Sequence, residues 1–156
     1  MTAAALALAL PMGVVAGLRT MTPLAAIGWA AHLGWLDLSG TWLAFLGHPA
    51  APWILTALAL GEFVTDQLPF TPSRKVPVQF GGRLASGALC GWCLGLSAGA
   101  AWPALVAGVA GAAVGTLGGA ALRARLAASF GRDRPAALIE DGVAVLGAML
   151  IVASAA

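Results

Sequence analysis

Charge is confined to a few short places in this chain, and that confinement rules out most folds. No Asp, Glu, Lys or Arg occurs in residues 38–61, 84–122 or 142–156. Water-soluble domains need charge to cover their surface, at about 25% of residues. Here the charged fraction is 9%, against 60% hydrophobic residues, and the mean hydropathy is +0.92. The composition fits an all-α fold, a polytopic transmembrane helical bundle whose principal partner is the lipid bilayer. It leaves no room for a soluble enzyme, and no basic run suggests nucleic acid.

Length fits one transmembrane domain over 1–156, with no linker or appendage large enough to fold alone. The first residues are apolar but lack the basic region of a secretory signal, so they are expected to begin the first membrane helix. A span needs about 20 apolar residues. Six segments are candidates: 3–18, 23–36, 42–66, 83–98, 103–123 and 135–155, of which 3–18, 23–36 and 83–98 are short and call for bilayer thinning or an incomplete crossing. Pro23, Pro103 and Pro135 suit the first position of a helix, where a missing N–H is harmless. Pro49 and Pro52 divide the third segment, which then reads as a short piece at 42–47 followed by a span from Trp53.

Six crossings put all eight basic residues on one side, and by the positive-inside rule that side is cytoplasmic. Asp37, His48 and both termini go to the other. The rival is five crossings with the first two segments fused, which would leave Arg19 in mid-membrane at high cost. A 3+3 inverted repeat is open as an alternative plan. Its two best alignments, Gly17–Pro23 with Gly81–Gly87 and Gly61-Glu62 with Glu140-Asp141, disagree in register.

Glycine recurs every four residues at Gly87, Gly91, Gly95 and Gly99, at Gly111, Gly115 and Gly119, and at Gly13 and Gly17. Residues four apart share a helix face, and a glycine ridge lets backbones approach closely in lipid. The expected use is packing of the fourth segment on the fifth; an oligomer interface is the alternative.

The acidic residues are the stronger functional lead. Glu62 and Asp66 are four apart and share one face, and Glu140 and Asp141 lie one to two turns inside the last segment. Carboxylates at these depths require partners, solvent or protons. Arg19, Arg83 and Arg123 fall on the same side. A functional version has Glu62 and Glu140 facing one another across a polar cavity; a structural version has ion pairs joining the cytoplasmic helix ends. In Gly17–Pro23, Thr22 is expected to N-cap the second helix with Pro23 at its first position, making an anion-friendly terminus beside Arg19. Two basic residues in 71–77, Arg74 and Lys75, set topology or touch anionic lipid.

Cys90 and Cys93 have dithiol spacing but lie in an apolar stretch, where cysteine is an ordinary small core residue. His32 and His48 make no ligand spacing with them, so neither a metal site nor a cofactor is expected.

Four motifs occur in order: Gly-Leu-Arg-Thr-Met-Thr-Pro at 17–23, Thr-Pro-Ser-Arg at 71–74, Gly-Arg-Leu-Ala-Ser-Gly-Ala at 82–88, and Ile-Glu-Asp at 139–141. With them the chain resembles a small family of bacterial integral membrane proteins classed as a domain of unknown function. The resemblance implies a bacterial membrane protein and brings no activity; with the positive-inside reading above, the expected place is the bacterial inner membrane, multi-pass, with the basic loops cytoplasmic. The leading expectation is a non-enzymatic transporter or channel-like protein for an ion or small solute. Glu62, Asp66, Glu140 and Asp141 would form its polar centre, with Arg19, Thr22 and Arg83 as counter-charges or anion contacts. The alternatives are an oligomeric scaffold joined through its glycine ridges and, more remotely, a membrane thiol oxidoreductase.

Overall fold

The computed structural model describes residues 2–68 and 76–156. Among them are six α-helices, one 3-10 turn and no strand. The helices are α1 (Thr2–Leu18), α2 (Met21–His32), α3 (Ala50–Thr65), α4 (Pro77–Ser97), α5 (Ala101–Phe130) and α6 (Asp133–Ala153), with the 3-10 turn at Ala44–Gly47. The chain is an all-helical bundle. The Thr-Pro-Ser-Arg motif, with Arg74 and Lys75, lies outside the described residues.

Each boundary has a local cause. α2 stops at His32 rather than Leu36 because Gly34 turns left-handed, at φ +77°. The Trp35 and Gly34 amides then bond back to the Ala30 and Ala31 carbonyls, at 2.8 and 3.2 Å, the paired bonds of a glycine-terminated helix. The Trp42–Gly47 piece separates as expected, and α3 begins at Ala50, three residues before Trp53, with Pro49 as N-cap and Pro52 in the first turn. α4 begins at Pro77, so Arg83 lies well inside a helix rather than at its mouth. α5 runs past Arg123 to Phe130 and ends where Gly131 takes φ +64°.

Where α1, α4 and α5 meet, the interior is made of small residues, and a second, larger-chained core gathers Met12, Ile27, Leu36, Leu43 and Leu94. α5 lies between α1 and α4, and the three backbones touch along glycine faces. A methyl group at Gly91 would strike the Ala104 carbonyl, and one at Gly87 would lie 2.6 Å from the Gly108 carbonyl oxygen. Gly95 meets Ala104 and Ala100 in the same way. So Gly87, Gly91 and Gly95 face α5. Gly111 and Gly115, by contrast, abut the Leu10 and Val14 carbonyls of α1, a correction to the expected pairing with α4. Gly119 is buried but lines a small cavity of about 50 Å³ with Leu18, Arg123 and Glu140. These glycine faces are used up inside the chain.

Many large apolar side chains nonetheless point outward. Val114, Leu146 and Leu150 are 65, 64 and 68% exposed, while Arg19 and Arg83 are buried. α5 and α6 are each long and apolar enough to cross a membrane, and only 33% of their most apolar stretches is buried. α1 and α3 are apolar but shorter.

α3 belongs to a separate layer. It packs on α2 and the 3-10 turn, fixed by a Trp29 Nε1–H bond to Thr56 Oγ1 at 3.0 Å and an edge-on Trp29–Trp53 contact. At the end of the bundle near this turn stands Asp37, whose carboxylate accepts the Ser39 hydroxyl and amide. Those bonds hold it below the usual carboxylate range. The remaining described acidic residues gather at the opposite end.

Candidate functional site

The site is a broken helix. Pro23 has no N–H to offer the Arg19 carbonyl and its ring crowds it, which favours a break here although α1 accommodates Pro11 in its interior. The chain therefore leaves the helix at Arg19 and Thr20 and restarts at Met21. Such a break leaves carbonyls without helical partners at the end of α1 and amides without them at the start of α2.

Side chains from other helices fill both gaps. Arg83 of α4 donates to the Gly17 and Leu18 carbonyls at 2.9 and 2.7 Å, and the Ser86 hydroxyl donates to the Thr20 carbonyl at 2.7 Å. On the other side the Glu62 carboxylate of α3 accepts the Thr20 and Met21 amides at 2.7 and 2.8 Å. A guanidinium thus sits at a helix C-terminus and a carboxylate at a helix N-terminus, each the sign that the local dipole favours. Arg83 Nη2 also lies 4.0 Å from Glu62, so the two capping groups steady one another.

Arg19 lies at the centre and is fully buried. One guanidinium nitrogen pairs with Asp66 at the end of α3 and another with Asp141 of α6. The Phe63 ring stacks on its face, with the guanidinium carbon 5.3 Å from the ring centroid, inside cation–π range. Arg19 therefore ties the α1–α2 junction to two other helices. A second group lies beside it. Arg123 of α5 grips Asp133 with two bonds, at 2.9 and 2.6 Å, and reaches Glu140 at 3.3 Å.

Arg19, Glu62, Asp66, Arg83 and Asp141 are thus one constellation, and Glu140 belongs to its neighbour. Two expectations need correction. Glu62 and Glu140 do not face one another: the first caps α2 and the second pairs with Arg123. Thr22 does not cap α2, which starts two residues earlier than expected, at Met21, and receives its anion from α3. The Thr22 side chain is buried, and its hydroxyl oxygen has no hydrogen-bond partner among the described residues. The residues that sequence reasoning missed are Ser86, Phe63 and Thr20. The break itself was expected, between the first two segments with Pro23 opening the second.

Beside the junction a cleft of about 680 Å³ opens between α3 and α4, with Glu62 and Asp66 on its wall. The two cysteines lie elsewhere, fully buried in the apolar core of α4. Neither is expected to react with a maleimide while the protein is folded, and both are expected to react once it is denatured. Labelling of native protein, read by mass, would contradict that burial and reopen a thiol chemistry.

This fold and junction define a small all-helical bundle with an internal ionic network and two helices able to span a membrane. The chain belongs to the family described as Domain of unknown function (DUF4126), whose pattern matches residues 6–155. No curated protein and no solved structure matches it.

Proposed function

We propose that this chain is a multi-pass protein of the bacterial inner membrane that moves an ion or small solute, with the Arg19 junction closing its inner end. The exposed apolar side chains support a lipid setting. Helices that pack on glycine and alanine, pair their charges inward and leave Val114, Leu146, Leu150, Trp53 and Trp102 exposed suit a bilayer. Arg19, Arg83 and Arg123 all gather at one end, which by the positive-inside rule is cytoplasmic. From Arg83 to Ser97 a helix rises about 21 Å, against a hydrocarbon core of about 30 Å. On that scale the network lies at or just within the inner interface.

One observation carries the reading: buried, cross-linked charge at a broken helix, bordering a cleft. Structural ion pairs need neither the break nor the cleft. Discontinuous helices whose ends meet charged groups are a common way to build a solute path. Mechanically, α1, α4 and α5 are locked together by backbone contact, while α3 rests on α2 and is held at its inner end by Glu62 and Asp66. Releasing those two carboxylates is the motion available for opening.

The test is flux in proteoliposomes for a panel of monovalent and divalent cations, protons and small anions. Wild type is expected to move at least one of them, and Glu62→Gln to lower that flux about tenfold or more, as a lost charge contact of about 1.4 kcal/mol would. No flux for any member from folded protein, or flux unchanged in Glu62→Gln, would end the proposal.

A further inference from the structure

The chemistry of the cleft between α3 and α4 points to its ligand. Its polar wall carries the Glu62 and Asp66 carboxylates, with Thr20 and Thr65 beside them and Gln79 opposite. No lysine or arginine is among the described lining residues. The rest of the wall is apolar, formed by Met21, Leu58 and Val78. At about 680 Å³ it falls in the range of organic ligand sites, about 300–1,000 Å³, far larger than a bare ion needs. Nor do the described residues include any group of three metal-ligating side chains.

Two glycines line this space without filling it. At Gly61 of α3 and Gly82 of α4 an added methyl group would meet no atom of the described residues within 4 Å, whereas at Gly91 and Gly111 it would strike backbone.

We propose that the α3–α4 cleft binds an ammonium group carried on an apolar body, with the charge against Glu62 and Asp66 and the body against Met21, Leu58 and Val78. The proposal rests on the transport reading for its biological use, but the binding itself does not. Both carboxylates already hold intramolecular partners, so the ammonium adds to or displaces those contacts. A cation on Asp66 competes with Arg19, and one on Glu62 competes with the α2 amides and Arg83. Binding therefore loosens the contacts that hold α3 to the junction.

The experiment is isothermal titration of the purified full chain in a non-ionic maltoside detergent with benzyltrimethylammonium, and with benzoate as the anionic counterpart. Saturable binding of the cation alone is expected. Gly61→Trp and Gly82→Trp, which fill the cleft and leave the ionic junction intact, are expected to weaken it about tenfold or more. Gly81→Trp, equally open but not lining the cleft, is expected to bind as wild type does. Competition by a short-chain phosphatidylethanolamine, with the matching phosphatidylglycerol inert, would identify a lipid headgroup as the source of the ammonium. Without such competition a soluble cation is the source. Absence of saturable binding, equal binding of benzoate, or unchanged binding in both Gly61→Trp and Gly82→Trp would overturn the proposal. Binding without flux would remove the transport reading and leave this site standing; flux without binding would do the reverse.

Discussion

Arg19→Ala is expected to leave no folded protein in mild detergent, because it removes the buried cation that two carboxylates share. Asp66 and Asp141 meet the same fully buried guanidinium. Removing one partner of a buried ion pair costs about 3–5 kcal/mol, a large share of what a small domain has in reserve. The loss falls on the joint between α1, α2, α3 and α6, so no element can yield by itself. Arg19→Lys keeps the charge but not the planar fork that reaches two carboxylates in different directions, and is expected to fall between wild type and Arg19→Ala. The informative control is Arg19→Met combined with Asp66→Asn and Asp141→Asn, which removes the charges together and is expected to recover much of the stability. Thermal unfolding followed by circular dichroism, beside the monodisperse fraction after extraction, reads all three. If Arg19→Ala melts with wild type, the junction is solvated and the buried network has no mechanical role.

Much of this architecture was legible in the residues, and the illegible part has a physical pattern. Charge-free stretches and glycine spacing disclosed an all-helical bundle with close backbone contact. The four-residue interval between Glu62 and Asp66 put both on one helix face, and both do line one cleft wall. Partners were out of reach because they come from distant sequence: Arg19 meets Asp66 across 47 positions, and Arg83 meets the Gly17 carbonyl across 66. Local capping rules failed at α2 for the same reason. They look for an oxygen within the next few residues, and here it arrives on α3.

The misplaced boundaries share another cause. Hydropathy marks where a segment stops being apolar, which need not be where a helix stops. α4 continues through Arg83 because its guanidinium is drawn inward to the α1 carbonyls. α5 continues through Arg123 because Ala-Arg-Leu-Ala-Ala is a strong helix former, and nothing halts it before Gly131. In both helices a charged residue was read as an end when it was an interior contact.

The second large effect is expected at Gly108, where the three central helices converge. Its carbonyl group lies against Gly13 of α1 and Gly87 of α4, and a methyl group on Gly108 itself would strike the Gly87 carbonyl. All of these contacts are backbone, so no rotamer change relieves them; α1 or α4 must move away from α5. Gly108→Ala is therefore expected to cost about 1–3 kcal/mol or more, with Gly108→Leu worse. Gly118, in the same helix, has open space around it. There the substitution should show only the preference of helices for alanine, a gain of about 0.5–1 kcal/mol. Measured together by thermal unfolding, the two variants separate contact from propensity. If Gly108→Ala melts no lower than Gly118→Ala, the helices stand further apart than these distances say. The glycine spacing would then need another purpose, and an interface between copies would be the first to examine. If Gly108→Ala alone unfolds, the glycine-packed core is the rigid body of the molecule, and any working motion must belong to α3 and the carboxylates that hold it.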